Sequence, residues 1–195
     1  MKSTNQRHNP TLLGMAYGSC LIFIQLILFR YVSTEPVFHE TMLAVKSFCQ
    51  PSLYKQISLI SNNPDLVLMS PTAILSALFF SMLFSFVKTD WKNSNRILST
   101  TTTNTHKFKP YILLVNGTVF VGTTIFLLFY INADFVNAYR FSKAGIAANA
   151  MANSLIGLWF HSSIFFIGLF IGCVAISSAL VFLLSTLRRN HGVGT

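Results

Sequence analysis

Four long apolar blocks, covering residues 12–29, 66–87, 111–130 and 155–187, contain no Asp, Glu, Lys or Arg. At about 1.5 Å of rise per residue, some twenty helical residues cross the roughly 30 Å hydrocarbon core of a bilayer. Lipid offers no partner to a peptide N–H or C=O, so a block of this kind must satisfy its backbone internally, as a helix does. Only 10% of the residues are charged and 52% are apolar, where a soluble globular chain carries about 25% charged residues. The fold class that follows is an all-α integral membrane protein, a bundle of four transmembrane helices in one membrane domain, with the lipid bilayer as its first partner.

The block boundaries are marked by their flanks. The first block follows a polar start bearing Lys2 and Arg7, as a secretory leader would. It is longer than a leader's apolar region, however, and is followed by Arg30-Tyr31-Val32-Ser33 instead of a small-x-small site. An uncleaved anchor is expected. Pro71 suits the first turn of the second span, where a missing N–H costs little. Pro110 precedes the third span, and Tyr111 and Tyr130 sit at its ends as interfacial residues do. The fourth stretch is too long for one untilted crossing. Trp159 and His161 suggest an interfacial approach, with the crossing over residues 164–187 and residues 155–161 either lying at the interface or extending the span. Arg188 and Arg189 end it.

Lys and Arg between the spans set the orientation. Lys2, Arg7, Lys88, Lys92, Arg96, Lys107, Lys109, Arg188 and Arg189 fall on the side shared by both tails and loop 88–110. Arg30, Lys46, Lys55, Arg140 and Lys143 fall in loops 30–65 and 131–163. Nine charges against five make the first side cytoplasmic, so both termini lie inside and the other two loops are exported. Of the five acidic residues, Glu35, Glu40, Asp65 and Asp134 fall outside and Asp90 inside. Because the excess of basic residues, +9 overall, sits between apolar blocks and not in a stripe beside exposed aromatics, nucleic-acid binding is excluded.

The loops carry fainter signals. Val37, Phe38, Met42, Leu43, Val45 and Phe48 pattern as a short amphipathic helix against the membrane. Asn62-Asn63-Pro64 reads as a turn, and residues 99–104 as a polar linker. Cys20 and Cys173 lie inside apolar blocks and Cys49 stands alone in its loop, which leaves no disulfide framework and no C-x-x-C.

Spans without ionisable residues argue against a pump, an ion-coupled transporter or a voltage sensor. The polar residues that remain in them, Gln25, Asn116, Ser76, Ser81 and Ser85, are expected to bond between helices. Gly14-x-x-x-Gly18 and Gly168-x-x-x-Gly172 let helix backbones approach closely, either within the bundle or in a homodimer or partner-docking face. No catalytic, metal or cofactor site is expected. His39-Glu40 begins like a zinc-protease motif, but Leu43 stands where its second His belongs. His161-Ser162-Ser163 lacks a Gly-x-Ser-x-Gly setting, so His161 reads as an interfacial anchor. Asn116-Gly117-Thr118 matches a glycosylation acceptor but falls inside a span.

Pro51-Ser52 in the first exported loop, Lys88-Thr89 closing span two, Leu128-Phe129-Tyr130 closing span three and Ala144-Gly145 in the next loop complete a layout that resembles the immunity proteins of A-type pore-forming colicins. The resemblance covers most of the chain and rests on topology, size and these local textures. It implies a non-enzymatic inner-membrane protein, with no catalytic residue, whose partner is the channel domain of a pore-forming toxin. A structural or assembly subunit of a larger secretion, conjugation or respiratory complex is the alternative expectation; a small membrane enzyme or transporter ranks third.

Overall fold

The computed structural model describes residues 10–32, 40, 43–44, 47, 51–88, 109–129 and 143–191, and no strand occurs among them. The helices are α1 (Pro10–Val32), α2 (Ser52–Ser58), α3 (Pro64–Lys88), α4 (Lys109–Phe129), α5 (Lys143–Asn153) and α6 (Leu155–His191). Four of them are long and apolar enough to cross a membrane: Pro10–Val32, Pro64–Lys88, Pro110–Phe129 and Leu155–Leu184. The chain is a helical membrane protein. The amphipathic pattern at Val37, Phe38, Met42, Val45 and Phe48, the linker at 99–104 and His39 lie outside the described residues.

Local chemistry explains where the helices begin. The Leu66 N–H donates to Asn63 Oδ1 at 3.4 Å, so Asn63 caps α3, Pro64 follows where its absent N–H is harmless, and Asp65 faces the positive helix end. The segment expected to be only a turn is thus a helix start. One correction follows: Pro71 does not lie in the first turn but inside the helix. There it deprives the Val67 carbonyl of its N–H partner. The Ser70 hydroxyl, one residue before the proline, donates to that carbonyl at 2.7 Å and replaces the lost bond.

At the α5–α6 junction only Ser154 separates two helices. Its hydroxyl accepts from the Gly157 N–H at 3.2 Å and its carbonyl from the Leu158 N–H at 2.8 Å, which caps α6. A Cβ at Gly157 would collide with the Ala150 carbonyl, so the corner needs a glycine. From there α6 runs for 37 residues without a break. The boundary expected near Ile164 is therefore absent, and residues 155–163 belong to the same helix. They are not laid flat on a surface either, because Leu158, Ser162 and Ser163 are buried. About 55 Å of helix exceeds the hydrocarbon core, so α6 either tilts or stands out of it.

Helices α1, α3 and α6 touch one another pairwise, while α4 lies along α6 and meets α2 at one end. Half of α3's most apolar stretch is buried, against 17% for α4, which makes α3 the inner helix and α4 the outer one. Gly14 lies beside Ser85 and Phe170, and Gly18 beside Ser81 and Phe166, so α1 runs antiparallel to both α3 and α6. Gly117 beside Gly172 and Thr124 beside Gly168 make α4 antiparallel to α6 as well. Ile22, Leu26, Tyr54, Ile74, Ala77, Phe166 and Phe170 form the buried centre. In lipid this burial removes no apolar surface from water, so cohesion comes from dispersion and interhelical hydrogen bonds, both of which need close approach.

Candidate helix-packing and partner-binding surfaces

The α1 seam consumes the first small-residue motif. A Cβ at Gly14 would run into Ser85 Oγ and stand 2.6 Å from Phe170 Cζ; one at Gly18 would run into the Phe166 ring and stand 2.5 Å from Ser81 Oγ. The two phenylalanines stack on each other, with centroids 5.6 Å apart and planes inclined at 26°, so each ring is held between a glycine and its neighbour. Further along the seam the Ser76 hydroxyl donates to Gln25 Oε1 at 2.7 Å, joining α3 to α1. Trp159 Nε1 donates to the Ser19 carbonyl at 2.9 Å and its ring meets Phe23 edge-on at 5.3 Å, joining α6 to α1.

The second motif is consumed between α4 and α6. At Gly172 an added Cβ would stand 2.6 Å from Val121 Cγ2 and 2.9 Å from the Gly117 carbonyl oxygen; at Gly168 it would stand 2.9 Å from Thr124 Oγ1. Gly117 answers with its own close contact, 2.8 Å from the Gly172 carbonyl oxygen. Sequence reasoning missed Gly117, because in a uniformly apolar span it carried no spacing signal and drew notice only within Asn116-Gly117-Thr118. Asn116 itself is not brought to any seam. It is exposed on α4, and among the described residues its side chain makes no hydrogen bond.

A third polar region lies where α1 ends and α3 and α6 begin. The Asn62 N–H donates to Asn153 Oδ1 at 3.0 Å, and the Ser61 hydroxyl donates to the Ala152 carbonyl. Arg30, Asn62, Asn63, Asn153 and Ser154 surround a cavity of about 240 Å³ over an apolar floor that includes Val67 and Leu158. Helix α2, which no sequence pattern announced, seats Tyr54 beneath this region, its hydroxyl 3.2 Å from Ser162 Oγ. Ser52 donates to the Phe129 carbonyl at 2.6 Å and ties α2 to the end of α4.

The His161-Ser162-Ser163 run forms no base–nucleophile pair with Ser162. His161 Nδ1–H donates to the Gly157 carbonyl at 2.9 Å, whereas Ser162 Oγ meets Tyr54. Ser163 Oγ and Ser81 Oγ are buried with no hydrogen-bond partner among the described residues. No three His, Cys, Asp or Glu side chains converge among those residues. What the described surfaces offer is packing: two glycine seams closed inside the molecule and one outer helix with a bare polar group. No family model, curated protein or solved structure matches the chain.

Proposed function

We propose that this chain is a non-enzymatic immunity protein of a bacterial inner membrane, which binds the membrane-inserted channel domain of a pore-forming bacteriocin by helix packing and prevents pore opening. In this reading both termini lie in the cytoplasm, which the nine-to-five distribution of Lys and Arg supports. The observation that carries the reading is that the apolar blocks 12–29, 66–87, 111–130 and 164–187 hold no Asp, Glu, Lys or Arg to move ions or protons, while α1, α4 and α6 are buried over only 22%, 17% and 22% of their apolar stretches. Blocking a toxin's helical hairpin needs no chemistry. It needs a rigid helical surface already in the membrane, with little charge to desolvate.

The test is expression of the full chain in a sensitive bacterial strain challenged with a panel of pore-forming bacteriocins. Survival against at least one toxin is expected. If no toxin is neutralised while the protein co-purifies with a stable multi-subunit membrane complex, the immunity reading fails and a structural or assembly subunit replaces it. Reporter fusions near Phe48 and Phe141 should be exported and those near Asn95 and at the C-terminus cytoplasmic; a cytoplasmic signal at Phe48 refutes the orientation.

A further inference from the structure

We infer that a second copy of this chain packs against the exposed face of α4 that carries Asn116, giving a two-fold dimer within the membrane. The buried side of α4 carries Gly117, Thr124 and Leu128. Away from that side, Ile112, Asn116, Val119 and Thr123 are all exposed, with Ile112 at 54% and Val119 at 58%; at about 100° per residue, Asn116 and Thr123 flank the buried side and Ile112 and Val119 lie farther round. Ile112 and Val119 are seven residues apart, as are Asn116 and Thr123. That is the repeat by which two parallel helices hold one seam together.

An apolar face alone would be content with lipid; the amide is what lipid cannot accommodate. Asn116 sits six residues past Pro110, about 9 Å along the helix, too deep for so short a side chain to reach the interface as Lys or Arg does. Among the described residues it has no hydrogen-bond partner, and a polar group left bare in hydrocarbon is costly.

A second copy is the occupant that this chemistry selects. A carboxamide is both donor and acceptor, so two Asn116 side chains related by a two-fold axis along the membrane normal satisfy each other. Membrane insertion gives every copy the same orientation, so α4 always meets another α4 in parallel, the geometry in which residue 116 faces residue 116. The Thr123 hydroxyl, also donor and acceptor, repeats the match one heptad on. The dimer draws on the same exposed helix as the toxin reading, but its test involves no toxin, so the failure of either is read separately.

The test uses the full-length protein, labelled at its C-terminus with donor or acceptor dyes and reconstituted into phosphatidylcholine vesicles over a range of protein-to-lipid ratios. Energy transfer should rise with protein density. Asn116→Leu should raise the protein density needed for half-association by about 5- to 30-fold, the loss of one amide pair between helices. Asn116→Gln, which keeps the amide, should stay near the wild type. In a background with Cys20, Cys49 and Cys173 replaced by Ser, Val119→Cys should cross-link on oxidation and Ile125→Cys should not. A wild type that remains monomeric at every density overturns the inference. So does an Asn116→Leu variant that associates like the wild type, or cross-linking that favours position 125. A helical, cooperatively melting Asn116→Leu protein is the folding control, and the cross-linking pair decides the matter should that variant fail it.

Discussion

Replacing Gly18 by alanine adds one methyl group where α1 lies against both Phe166 and Ser81. The new Cβ would overlap the end of the Phe166 ring and stand 2.5 Å from Ser81 Oγ. The ring cannot simply swing away, because Phe166 is fully buried and stacked on Phe170, which presses on Gly14 one turn along. Relief requires either an off-rotamer ring or a retreat of α1, and overpacking of this kind costs about 1–3 kcal/mol. Alanine also gains about 1 kcal/mol over glycine as a helix former, which would blur a comparison with the wild type. Gly122→Ala removes that ambiguity. It carries the same propensity gain, and its Cβ meets nothing within 4 Å. The difference between the two variants isolates the seam. Gly18→Ala should be less stable than Gly122→Ala by about 1–3 kcal/mol, or roughly 2–12 °C in Tm for a chain of this size. The assay is reversible unfolding in bicelles at lipid dilutions where the chain is monomeric. Adding Phe166→Ala to Gly18→Ala should remove the clash and give a favourable coupling of about 0.5–3 kcal/mol in a double-mutant cycle. Equal stability of Gly18→Ala and Gly122→Ala, or zero coupling to Phe166, would refute the close-approach argument.

Two other perturbations read single hydrogen bonds. Ser70→Ala should destabilise the protein by about 1–3 kcal/mol, because the Val67 carbonyl then has neither the Ser70 hydroxyl nor an N–H from Pro71. In a Pro71→Ala background, where that N–H returns, the same change should cost well under 1 kcal/mol; an equal cost in both backgrounds shows that Ser70 does not compensate for the proline. Trp159→Phe keeps the ring packing on Phe23 but loses the donor to the Ser19 carbonyl. It should lower unfolding stability by about 0.5–1.5 kcal/mol, and a loss no larger than that of the exposed Phe160→Leu control would count against a bond between α6 and α1.

Much of the architecture is legible residue by residue. Uncharged blocks of 18 or more residues declare membrane helices because a backbone in lipid has no other way to satisfy its hydrogen bonds. Gln25 could be read as an interhelical partner, and it accepts from Ser76. The small-residue motifs could be read as close-approach faces, and Gly14 and Gly18, with Gly168 and Gly172, line the tightest crossings. Local chemistry was less transparent. Pro71 reads as a helix start, whereas Asn63 caps the helix two turns earlier, and α2 is too short and too mixed for a periodic pattern to reveal it.

The sequence by itself determined that there are four apolar helices and that none carries a charge through the bilayer. Which side of each helix meets protein and which meets lipid was decided only by the tertiary structure. In water, polarity marks the exposed face of a helix. In lipid, Leu and Phe serve equally well inside and outside, so α4 reads as apolar on nearly every side. Only its packing against α6 separates Gly117, closed within a seam, from its neighbour Asn116, left facing outward.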